Sequence, residues 1–123
     1  MGASADTRSA VTPTEKKRDY DRALADCNAA MRTDPGYYFA FCARGQAHAG
    51  KGDYNQALAD FNEGIKTDPK SAYCYSRRGI ANEKRGDRDA AIADFRKALA
   101  LKDKLYDSHT LCKDALKRLG ATP

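Results

Sequence analysis

Tryptophan is absent from the chain, histidine occurs only twice, and the four cysteines include no Cys-x-x-Cys pair. Cys27, Cys42, Cys74 and Cys112 stand far apart in sequence, which argues against a zinc site and gives no recognisable disulfide pattern. The longest apolar run, Tyr37 to Ala43, falls far short of the roughly 20 residues that span a bilayer. The first residues, MGASADTRSAVTPTE, lack both a basic start and an apolar stretch, so no secretory signal is expected in this numbering. Met1-Gly2 is not followed by the Ser or Thr that myristoylation wants, because Asp6 stands there. Together these absences favour a soluble, cytoplasmic protein.

What is present suits one small helical domain. Apolar residues make up 41% and charged residues 32%, enough to build one core but not two. The net charge of +5 is spread as +2 over residues 1–18, +1 over 19–101 and +2 over 102–123. The expected folded body is therefore close to neutral, and the basic excess lies at the ends as solvated charge.

Compared with itself, the chain repeats at a fixed period, with successive copies opening at Asp19, Asp53 and Asp87. DYDRALADCNAAMRTDP from Asp19 aligns with DYNQALADFNEGIKTDP from Asp53 and with DRDAAIADFRKALALKD from Asp87. YFAFCARGQAHAGKG from Tyr38 likewise aligns with AYCYSRRGIANEKRG from Ala72. Leu58, Phe61 and Ile65, like Ile92, Phe95 and Leu99, recur at spacings of three and four, the apolar stripe of a helix. Asp53 and Asp87, each after a glycine, are expected N-caps, and Asp34-Pro35 and Asp68-Pro69 are expected stops. Lys102-Asp103 is a weaker stop for the third copy. Two antiparallel helices approach closely only where a side chain is missing, so Gly45 and Gly79 are expected to face Ala57 and Ala91, with Phe41 and Tyr75 beside Phe61 and Phe95.

These residues resemble the tetratricopeptide repeat, a helix pair of the same period, over positions 19–103. Phe41, Gly45, Ala57, Phe61, Gly64 and Pro69 match its signature in one copy, and Tyr75, Gly79, Ala91, Phe95 and Ala98 in the next. Arg44 and Arg78 stand where the family usually has leucine, and His48 and Asn82 where it usually has tyrosine. The resemblance implies an all-α, right-handed solenoid of antiparallel helix pairs with about six helices. Its expected parts are a flexible polar segment over 1–18, a half repeat over 19–37, full repeats over 38–71 and 72–103, a capping helix over 104–119 and a tail over 120–123.

The ends differ from the middle. Ser4 to Lys17 contains Pro13 and only Val11 as a large apolar residue, so no first helix is expected to pair with the helix from Asp19. Leu24, Cys27 and Met31 would then form a partly uncovered stripe, a candidate for self-association through residues 19–32 or for a neighbouring unit in a longer array. At the other end Leu105, Cys112, Leu116 and Leu119 form one stripe, while Lys113, Lys117 and Arg118 give the last helix the polar outer face of a cap.

No catalytic constellation is visible, and neither a metal nor a cofactor is expected. His48 and His109 are remote from each other in sequence, and Gly50-Lys51-Gly52 lacks the spaced glycines and the Lys-Ser/Thr pair of a phosphate loop. Arg44 and Arg78 are expected to pair with Asp26, Asp60 or Asp94. Cys27 replaces Phe61 and Phe95 and reads as a small core residue, whereas Cys42 and Cys74 could be partly exposed.

What remains is binding. The resemblance implies a concave groove lined by the first helices, here Phe39, Cys42, Ala43, Gln46, Tyr73, Ser76, Arg77, Ile80 and Lys84, which would hold a peptide of a partner protein. Family members that grip the acidic tails of heat-shock chaperones use a clamp of lysines, asparagines and an arginine. Arg77 matches the clamp arginine, but Tyr73 stands at a lysine place and Ala43 at an asparagine place. Self-assembly is the nearer alternative function. Nucleic-acid binding would have to draw on Arg77, Arg78, Lys84, Arg85 and Arg88 and is less favoured in a nearly neutral body.

Overall fold

The computed structural model describes residues 12–101 and 109–123. Among them are six helices and no strand: α1 (Pro13–Thr33), α2 (Tyr38–Gly50), α3 (Tyr54–Thr67), α4 (Ala72–Arg85), α5 (Arg88–Ala100) and α6 (His109–Arg118). None of these helices is long and apolar enough to cross a membrane. Helices α2 with α3 and α4 with α5 form antiparallel pairs, α1 rests on α2, and α6 rests on α5. Because α2 also touches α4, the first helices of the two repeats lie side by side and share one face of the solenoid.

The first helix corrects the sequence expectation. It begins at Pro13, upstream of Asp19, so residues 13–18 are helical rather than a loose segment. Pro13 does not interrupt the helix. It opens it at the first position, where its missing N–H costs nothing. Thr12 accepts a hydrogen bond from the Glu15 amide at 3.1 Å, and Glu15 accepts one in return from the Thr12 amide at 3.3 Å. This reciprocal cap satisfies two end amides and is written in the sequence as Thr-Pro-Thr-Glu.

Elsewhere the punctuation follows the sequence closely. Asp34 and Asp68 end α1 and α3 in extended conformation before their prolines, with φ of −139° and −136°. Gly52 and Gly86 adopt φ of +86° and +88°, the left-handed geometry that turns the chain between paired helices. Asp87 accepts from the Ala90 amide at 3.3 Å, whereas Asp53 makes no side-chain cap and holds α3 only through its carbonyl.

Phe61 and Phe95 centre the two repeats and are fully buried. A Cβ on Gly45 would stand 2.9 Å from the Phe61 ring and 3.0 Å from the Ala57 carbonyl oxygen, and one on Gly79 would stand 2.8 Å from the Phe95 ring. The close approach expected at these glycines is therefore real, with the rings as the obstacle.

Arginine in the leucine place has a structural reason. Arg44 of α2 makes a two-pronged ion pair with Asp60 of α3, at 2.8 and 2.6 Å, and donates to Asn28 of α1 at 3.0 Å. One period later Arg78 of α4 repeats this with Asp94 of α5, at 3.0 and 2.7 Å, and with Asn62 of α3 at 2.8 Å. Asp60 and Asp94 are buried, so each carboxylate needs its partner. The residues in the tyrosine place also turn to these acids: Asn82 donates to Asp94 at 3.0 Å, and His48 lies 3.7 Å from Asp60.

The cysteines depart from expectation. Cys42 and Cys74 are fully buried and joined in a disulfide that ties α2 to α4, with their Cα atoms 5.4 Å apart. Sequence spacing hides the pair because each cysteine lies on a different repeat and only folding brings them together. The bond also removes one ground for the cytoplasmic expectation, since disulfides persist mainly in oxidising compartments. Cys27 is half-buried and Cys112 is buried, and neither takes part in a disulfide.

In α6 Cys112 and Leu116 are fully buried, packed with α5, while Lys113, Lys117 and Arg118 are exposed. Leu105, the remainder of the expected cap over 104–108 and the stop at Lys102-Asp103 lie outside the described residues.

Gly45→Leu pushes a side chain into the Phe61 ring and is expected to cost about 1–3 kcal/mol, lowering the thermal midpoint by several degrees. An unchanged melting curve would remove this account of the helix contact. Joining cysteines at a sequence separation of 32, the disulfide is expected to contribute about 2–4 kcal/mol. Reductant should therefore lower the denaturant midpoint of the wild type and leave that of a Cys42→Ala, Cys74→Ala variant unmoved.

Candidate functional site: the groove between the first helices

Tyr73 organises the shared face of α2 and α4. Its ring stacks on Phe39 across the helix boundary, with centroids 4.7 Å apart and planes 22° from parallel. Its hydroxyl donates to Gln46 Oε1 at 2.7 Å, and the Arg77 guanidinium lies 5.5 Å from its ring centroid. Aromatic stacking, a hydrogen bond and a cation over the ring thus fix one side chain that is only 8% exposed. Phe39 remains 40% exposed and continues into Tyr37, 43% exposed and 5.9 Å away. Tyr37 and Phe39 are the large apolar side chains open to solvent among the described residues.

The other expected groove residues divide. Gln46 and Lys84 are exposed, and Ala43, Arg77 and Ile80 are partly exposed. Ile80 and Lys84 line a cleft of about 580 Å³ between α4 and α6, together with Leu111 and Arg118. Cys42 and Ser76 offer no surface. Cys42 is turned inward by its disulfide, and Ser76 is fully buried with its hydroxyl donating to the Tyr73 carbonyl at 2.9 Å. Both sit one position off the face that carries Phe39, Ala43, Tyr73 and Arg77, a distinction that helical spacing alone draws too coarsely.

The N-terminal stripe is less open than an unpaired half repeat suggests. Leu24, Cys27 and Met31 are each half-buried. Burial pushes the Cys27 thiol above its ordinary value, with Arg44 opposing that shift, so the thiolate is disfavoured rather than activated. Of the basic residues considered for nucleic acid, Arg78 is committed to Asp94 and Arg88 donates to the Leu119 carbonyl at 3.1 and 2.7 Å.

Residues 42–106 match the family model described as tetratricopeptide repeat, more than half of the chain. The chain belongs to the tetratricopeptide repeat family. The matched span takes in most of the helix pairs α2–α3 and α4–α5. No curated protein matches the chain. The Arabidopsis OM64 tetratricopeptide domain superposes with a TM-score of 0.72 at 28% identity, covering 83% of this chain and 81% of that one. The first such domain of Spaghetti (RPAP3), bound to the HSP90 peptide SRMEEVD, shares the fold with a TM-score of 0.73 at 22% identity, covering 85% of this chain and 80% of that one.

One contact that sequence reading misses ties α6 to α4 at the end of this face. Arg118 of α6 reaches Glu83 of α4 with two bonds, at 2.8 and 2.6 Å. The hydrogen bonds from Arg118 hold the Glu83 carboxyl below its ordinary value of 4.5. A depressed carboxyl adds stability above its unfolded value, and that stability is lost as pH falls through the folded one. With Arg118 more than half exposed, the pair is expected to contribute less than about 1 kcal/mol. The protection factors of the α6 amides, referred to intrinsic exchange at each pH, should fall on acidification below about pH 4.5, and Glu83→Gln should remove that step. An acid response identical in the variant would assign it to other carboxyls.

Proposed function

We propose that this tetratricopeptide domain is a protein-interaction module that holds a peptide segment of a partner protein in the groove between α2 and α4. The observation that carries this reading is the Phe39–Tyr73 stack, a solvent-open ring on a ring already fixed by Gln46 and Arg77. A platform ordered before binding leaves little side-chain entropy to lose, and aromatic and arginine anchors dominate protein interfaces. Phe39 supplies the apolar contact, and Arg77 with Lys84 supplies positive charge. The partner segment therefore carries an apolar or aromatic residue close to an acidic one.

A structural neighbour holds the acidic peptide SRMEEVD, which supports a peptide as the ligand class. Tyr73 and Ala43 replace two clamp residues of chaperone-tail binders, so that peptide is not the preferred ligand of this groove.

Panning a random peptide library tests the reading. Wild type is expected to enrich peptides that pair an aromatic or aliphatic residue with an acid. A folded Phe39→Ala, Arg77→Glu variant should bind the enriched peptides about tenfold or more weakly. Enrichment of the same peptides by both baits would move the binding site off this face.

A further inference from the structure

We propose that the lysine cleft at the far end of the groove binds a phosphoryl group carried by the same peptide. This inference rests on the groove reading above and adds the chemistry of the ligand's second anchor.

The cleft has a volume of about 490 Å³ and lies where the first turns of α1 meet the C-terminal ends of α2 and α4. Lys16, Lys17, Lys51 and Lys84 line it, beside Tyr20 and Gly50. Lys51 is paired with Asp21 at 2.6 Å. The remaining three lysines have no carboxylate in ion-pair range among the described residues. Three positive charges without an ion pair thus converge from two helices in a chain whose body is otherwise almost neutral.

The donor set suits a compact, highly charged anion. Arginine presents a planar fork that matches carboxylate and phosphate alike, whereas lysine is a compact charge that meets an anion from any side. Among the described residues the cleft walls hold four lysines and no arginine. A phosphorylated side chain brings about 1.5 to 2 negative charges, against about one for a carboxylate, and so answers the local excess more completely.

Placement links the cleft to the aromatic platform. Tyr73, Arg77, Ile80 and Lys84 recur at spacings of four, three and four along one face of α4. The eleven positions from Tyr73 to Lys84 span about 16 Å of helix, which an extended peptide crosses in about five residues. The phosphorylated residue therefore stands about five positions from the apolar anchor. The helical turn that supplies Lys16 and Lys17 is the one built by the Thr12–Glu15 cap.

Three probes test the proposal by titration under amide chemical-shift detection: inorganic pyrophosphate, and a peptide of phenylalanine, a Gly/Ser spacer and either phosphoserine or serine. Pyrophosphate is expected to shift the Gly50 and Lys51 amides saturably at constant ionic strength. The phosphoserine peptide should bind about tenfold or more tightly than its serine counterpart. That gain should vanish in both Lys16→Ala, Lys17→Ala and Lys84→Ala, whose exposed positions leave folding intact by thermal melt. No saturable shift at the cleft, or a gain that survives the lysine variants, overturns the proposal. Pyrophosphate binding with no gain for the phosphopeptide overturns the peptide as carrier. An affinity for the phosphoserine peptide that Phe39→Ala leaves unchanged upholds the cleft and overturns the groove reading instead.

Discussion

The architecture depends on a buried carboxylate that cannot stand alone. Asp60 and Asp94 sit inside helix pairs, where an unpaired charge would be strongly unfavourable. Each is answered by an arginine from the first helix of its own repeat, and that arginine also reaches an asparagine on the preceding unit. One guanidinium therefore fixes three helices. Its remaining face lies over an aromatic ring, Phe41 or Tyr75, at 5.9 and 5.4 Å. Leucine in the same place could fill volume but could neither answer the buried carboxylate nor reach the asparagine on the preceding unit. The two clamps are related residue for residue by one sequence period, Asn28 to Asn62, Arg44 to Arg78 and Asp60 to Asp94, which gives the solenoid its regular step.

That step sets the groove. Because α2 and α4 are related by it, Phe39 and Tyr73 occupy the same place in successive repeats and meet ring on ring. Gln46, seven positions after Phe39, then accepts the Tyr73 hydroxyl. The shared face of α2 and α4 is thus a by-product of repetition, and its two halves differ where the copies differ: Ala43 against Arg77, and Gly50 against Lys84. Each difference places a cation on α4 and leaves space on α2.

Much of this is legible because repeat proteins write their contacts locally. The period, the helix stripes around Phe61 and Phe95, the turns at Gly52 and Gly86 and the pairing of Arg44 and Arg78 with acids can all be read from spacing. Three features cannot be placed so well. The start of α1 escapes a reading that weighs Pro13 as a breaker before it weighs Thr12 and Glu15 as a cap. The Cys42–Cys74 bond joins positions that align with nothing recurrent: one period from Cys42 is Ser76, and one period before Cys74 is Ala40. The burial of Ser76 beside the groove depends on a helix rotation that a period of 3.6 does not resolve to a single position.

Gly64 bears directly on the second of these features. It lies on α3 directly beneath the disulfide, and a Cβ there would press on Cys42 Sγ and stand 3.1 Å from Cys74 Sγ. The sulfurs fill the notch that the missing side chain leaves. Residue 64 and the cysteine pair therefore share a single volume, and the route by which this chain can change is ordered. A larger residue can enter position 64 only after the bond between the first helices has gone, whereas the bond can be lost while the glycine stays.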